Sequence, residues 1–76
     1  MNNAEKTARD CERITVTLVP KAAGGLERLR ERTHLSKTDL VNRAVTLYEF
    51  VEEQIAGGSA VLIRTPDGTV SEVRFL

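Results

Sequence analysis

Arg13-Ile14-Thr15-Val16-Thr17-Leu18 is the stretch that decides the fold. Successive side chains of an extended backbone point to opposite sides. Ile14, Val16 and Leu18 therefore form an apolar face, and Arg13, Thr15 and Thr17 a polar one. Pro20 ends the run, because it has no N–H with which to continue a ladder. No second strand pattern lies nearby, since the residues that follow read as helices. A lone strand leaves its backbone N–H and C=O groups without partners, which is costly once they are buried. The simplest remedy is the same strand from a second copy of the chain. Two copies would make a two-stranded ribbon, with three polar side chains from each subunit on its outer face.

Size points the same way. A chain of 76 residues is one small domain, and domains of this size often need a disulfide, a metal or a partner subunit. Cys11 is the only cysteine, so no intrachain disulfide is available and a four-ligand zinc site is not expected. Dimerisation is the remaining staple. The single thiol, with no pattern of a secretory signal or membrane span, leads to the expectation of a cytoplasmic protein that contacts no membrane. Formal net charge is zero, which taken alone argues against a nucleic-acid binder. Its distribution says more. Residues 1–43 hold nine Lys/Arg against six Asp/Glu, whereas residues 44–76 hold two against five. The half with the alternating strand is the basic half, and a dimer would double its field.

Residues 1–12 are polar and without periodicity, which reads as a flexible N-terminal tail. Lys6 and Arg9 there could touch a phosphate backbone, although a solvated terminus is the simpler reading. Pro20 suits the first turn of a helix. Ala22, Leu26 and Leu29 follow at helical spacing, with Glu27, Arg28, Arg30, Glu31 and Arg32 toward solvent. Gly24 and Gly25 break the local rules, at about 1 kcal/mol each in a helix interior. Either the first turn is irregular or another backbone packs closely there. Ser36 has the chemistry of an N-cap, and Asp39 stands where the reciprocal partner of a capping box would. Val41, Ala44, Val45, Tyr48, Val51 and Ile55 continue at three- and four-residue spacing. Leu40 and Leu47 widen this stripe beyond what one neighbouring helix covers, which implies a second subunit. Gly57-Gly58 stops the helix.

The rest reads as a β-hairpin over residues 59–76. Ala60 to Arg64 and Val70 to Leu76 flank Thr65-Pro66-Asp67-Gly68, with Pro placed for a type I turn and Gly for a left-handed bulge. If Thr65 pairs with Thr69, Val61 and Ile63 share a face with Val73 and Phe75, opposite Leu62, Arg64, Glu72 and Arg74. An isolated hairpin is marginal in water, so its apolar face should dock on the helices or on a partner.

Two motifs in order, Arg13-Ile-Thr-Val-Thr-Leu18 and Leu35-Ser-Lys-Thr-Asp-Leu40, are separated by a helix of suitable length. With them, residues 13–56 resemble the ribbon-helix-helix family of dimeric DNA-binding proteins. The resemblance implies an α+β fold. Two chains form an antiparallel intersubunit ribbon, each adding two helices, and here a C-terminal β-hairpin is appended. It also implies that the ribbon enters the major groove of double-stranded DNA. Arg13, Thr15 and Thr17 would then meet base edges. Arg can bond guanine O6 and N7 together, while Thr offers a hydroxyl and a methyl. Ser36, Lys37 and Thr38, at the start of the second helix, would meet a phosphate, where free N–H groups and the helix dipole favour an anion. Each feature also has a plainer reading: a solvated strand of good β-propensity, and a simple N-cap. Gly24-Gly25 and the hairpin depart from the family pattern.

The expectation is therefore a homodimeric, sequence-specific transcriptional regulator, most naturally a repressor, nucleoid-associated when bound and able to form higher-order assemblies on DNA. The alternative is an antitoxin or protein-interaction adaptor that uses the fold mainly to dimerise and binds a protein partner through the hairpin. No catalytic residues, cofactor or metal are expected. His34 stands without other ligand residues, and nothing places Ser, His and Asp as a triad. Tyr48 is expected in the core, and Phe50 at a dimer interface or under the hairpin.

Overall fold

The computed structural model describes residues 11–75. Its elements are α1 (Pro20–Thr33), α2 (Lys37–Ala56), β1 (Val61–Arg64) and β2 (Val70–Val73). The protein is thus a small α+β chain with two helices and a two-stranded antiparallel sheet. The Lys6 and Arg9 reading, and most of the expected tail, lie outside the described residues, as does Leu76.

Pro20 stands at the head of α1, and the Ala23 N–H donates to the Val19 carbonyl at 2.9 Å to close the first turn. The helix then runs unbroken through Gly24 and Gly25. Neither expected reason for the glycines applies within the chain. A Cβ on Gly24 would meet only the end of the Arg28 side chain, and one on Gly25 would barely reach it. At the other end His34 takes a left-handed conformation, φ 60°, and its N–H donates to the Arg30 carbonyl at 2.8 Å. That is the αL way of ending a helix, usually made by glycine. The Thr33 hydroxyl donates to the Leu29 carbonyl at 2.7 Å and accepts from the Leu35 N–H at 3.2 Å, which fixes the turn into α2.

Ser36 caps α2 as its sequence suggests, its Oγ accepting from the Asp39 N–H at 3.1 Å. The reciprocal half of the capping box is not made; no bond returns from the Asp39 carboxylate. The far end closes on a Schellman motif. Gly58 has φ +94°, its N–H donates to the Ile55 carbonyl, and the Ser59 N–H donates to the Gln54 carbonyl.

β1 and β2 pair in the expected register, Val61 opposite Val73 and Arg64 opposite Val70. The Thr65 N–H donates to the Thr69 carbonyl at 2.8 Å, the Gly68 N–H donates to the Thr65 carbonyl at 2.9 Å, and Gly68 has φ +93°. The type I turn and its left-handed bulge are therefore formed. β2 is shorter than expected, ending at Val73, because β1 begins only at Val61.

The core within one chain is slight. Leu40 and Val51, both on α2, are the buried hydrophobic residues among those described. Leu26, Leu35, Val41, Val61 and Val73 are half-buried around them. Val45, Leu47, Tyr48, Phe50 and Ile55 remain exposed, so the expectation of Tyr48 as a core residue is corrected for the single chain. From Phe50 round to Val45 the apolar arc of α2 spans about 220° of helix circumference at 3.6 residues per turn. One helix and a hairpin cover only its middle.

Candidate nucleic-acid interface

Among the described residues, 11–19, before α1, form no ladder, and the sheet consists of β1 and β2. The alternating segment therefore keeps both its faces uncovered. Ile14 is 60% and Val16 59% exposed. Its backbone has no pairing partner among the described residues.

An open concavity joins this segment to the start of α2. Arg13, Ile14 and Val16 line one side of it, and Lys37, Thr38 and Val41 the other. Arg13 is thus brought beside two of the three residues expected to meet phosphate. Thr15 and Thr17 do not line the concavity, and neither does Ser36; all three are exposed.

At the head of α2 two backbone donors are left free among the described residues. Ser36 Oγ takes the Asp39 N–H, and the Leu40 N–H donates to the Ser36 carbonyl at 3.0 Å. The N–H groups of Lys37 and Thr38 make no bond among the described residues, and they point along the positive end of the helix dipole. Asn42, one turn on, donates from Nδ2 to the Thr38 carbonyl at 2.7 Å and also lines the concavity.

Lys37 is not a free cation. Its Nζ lies 3.8 Å from Oε2 of Glu27 on α1, and Oε1 of the same carboxylate lies 3.4 Å from Arg30 Nη1. This pairing was not legible in the sequence. Glu27 and Lys37 are ten positions apart, and only the turn at His34 folds one back beside the other.

Chemically the region offers hydroxyls, a guanidinium and two unpaired backbone donors beside a helix N-terminus, suited to oxyanions, next to an ammonium paired with Glu27 and the Glu12 carboxylate that also lines the concavity. No helix among the described residues is long and apolar enough to cross a membrane. No protein-family model matches this chain, and no curated protein or solved structure does either.

Proposed function

We propose that the chain is a homodimeric, sequence-specific DNA-binding regulator of ribbon-helix-helix type. The strongest support is the alternating segment 13–18, exposed on both faces and lying beside the start of α2. Pairing that segment with its counterpart in a second copy satisfies its backbone groups and gives Ile14, Val16 and Leu18 a covered face. The same association supplies the missing cover for α2. Leu47 and Phe50 stand 63% and 55% exposed beside a groove with Arg43 and Thr46. Neighbouring exposed apolar side chains on one helix face are what an interface would cover.

In the dimer the outward face of the ribbon holds Arg13, Thr15 and Thr17 from each subunit, a set able to hydrogen-bond base edges in a major groove. Lys37 and Thr38, with the Ser36 hydroxyl, take a flanking phosphate and set the register of the ribbon.

Selection of bound duplexes from random DNA, paired with the solution mass of the free protein, tests this directly. A dimer that enriches a two-fold symmetric sequence is expected. Substituting Arg13, Thr15 and Thr17 together by Ala should leave the dimer folded and abolish the enrichment. A stable monomer, or unaltered enrichment by the triple variant, rejects the ribbon.

A second reading rests on the hairpin, where Leu62, Ile63 and Val70 are all exposed. Such a surface suits an antitoxin or adaptor that meets a protein partner. Tight capture of one partner, lost on Leu62→Lys and Val70→Lys, without DNA binding at low salt, would favour it.

A further inference from the structure

We infer that Glu27 is an internal counter-ion that restrains sequence-independent DNA binding by occupying Lys37. The inference rests on the nucleic-acid reading above and adds a control to the same surface.

Among the described residues, the Glu27–Lys37 pair is the ion pair that joins two different elements. Glu27 sits on the last full turns of α1 and reaches across the His34 corner to the first residue of α2. Lys37 is also the one lysine at the head of α2, next to the unbonded N–H groups of Lys37 and Thr38. A phosphate arriving at those donors meets a cation already partnered by a carboxylate 3.8 Å away. Both side chains are more than half exposed, so water and salt screen the pair and it opens readily. It is therefore a competitor for phosphate rather than a permanent lock.

The consequence falls on one class of contact. Phosphate contacts position a protein on DNA but carry no sequence information, and they dominate non-specific affinity. Base contacts from Arg13, Thr15 and Thr17 do not pass through Lys37. Weakening the Lys37–phosphate contact lowers binding to every sequence alike, the competing genomic background included. The ratio of specific to background binding is then unchanged, and what Glu27 sets is the absolute affinity for DNA and its dependence on salt.

The test uses Glu27→Gln, which keeps the size and removes the charge, with Lys37→Ala and the double variant. Each is titrated against a fluorescent duplex of random sequence over graded salt, with helical content and solution mass as fold controls. Glu27→Gln is expected to tighten binding roughly two- to five-fold for each subunit, the value of an exposed ion pair. Its salt dependence should steepen, as Lys37 becomes free to replace counter-ions on the phosphate. In the Lys37→Ala background the same substitution should have little effect.

An equal gain with and without Lys37 would mean only that one negative charge fewer helps, and overturns the inference. DNA binding indifferent to Glu27→Gln overturns it too, while leaving the nucleic-acid reading intact. No binding to any duplex at low salt, by any variant, removes both.

Discussion

The ring of Tyr48 on α2 lies 5.7 Å, centroid to centroid, from that of Phe75 just past β2, tilted by 41°. That contact joins the hairpin to the helix, and Val61 and Val73 on the hairpin are half-buried. Aromatic pairs in this geometry contribute about 0.5–1.5 kcal/mol beyond their area, and the exposure of Tyr48 places this one at the low end. Denaturant unfolding of Tyr48→Ala, Phe75→Ala and the double variant should give a coupling near 0.5 kcal/mol. Additive losses would mean that the rings do not act on each other.

Asp67 makes the hairpin turn sensitive to acid. The Thr65 hydroxyl, and then the Thr69 N–H at 2.9 Å, donate to its carboxylate and lower its pKa from 3.8 to about 2. A carboxyl held below its unfolded value stabilises the folded turn fully above that value. The contribution is lost as pH falls from about 4 through 2. Amide shifts of Thr69 and Gly68 should follow a titration with that midpoint, and Asp67→Ala should flatten the dependence.

Gly24 and Gly25 weaken α1, and among the described residues their Cβ positions would meet only Arg28. Neither has a left-handed φ, and both Cβ positions face only the flexible end of Arg28. Gly25→Ala should stabilise the folded chain by roughly 0.5–1 kcal/mol, and Gly24→Ala by somewhat less. Thermal unfolding at fixed protein concentration measures this, since the stability of the proposed dimer would depend on concentration. A loss of dimer instead would show that a second chain packs into the space the glycines leave.

His34 occupies a left-handed position that glycine takes at lower cost. His34→Gly is expected to raise stability by up to about 1 kcal/mol relative to a side chain strained there. His34→Val should lower it, because a β-branched side chain fits that region worst. The order Gly, His, Val in unfolding midpoints is the check.

Leu47 and Phe50 form the exposed flank of α2. If they line the proposed dimer interface, Asp at either position should shift the solution mass from dimer to monomer at micromolar concentration, because a buried unpaired charge is strongly penalised there. A dimer of unchanged affinity would place the interface elsewhere.

Much of this architecture was legible in local chemistry. Pro20, Ser36 and Gly58 mark helix ends because fixed φ, a side-chain acceptor and a permitted left-handed φ each act within a few residues. Thr65-Pro66-Asp67-Gly68 specified its turn, and through it the strand register, for the same reason. Residue type and spacing singled out Arg13, Thr15 and Thr17, and Ser36, Lys37 and Thr38, as candidates, and their contact with bases or phosphate is the proposal made above.

What needed three dimensions was the packing of one element on another. The turn at His34 brought Glu27 onto Lys37, and the docked hairpin brought Phe75 onto Tyr48. The fold also divided an apolar arc on α2 into a buried middle, Leu40 and Val51, and uncovered flanks. Periodicity marks a residue as apolar-facing but carries no record of how much surface the rest of the chain can cover. That area is set by the number and placement of the packed elements, and for one copy of this chain it falls short.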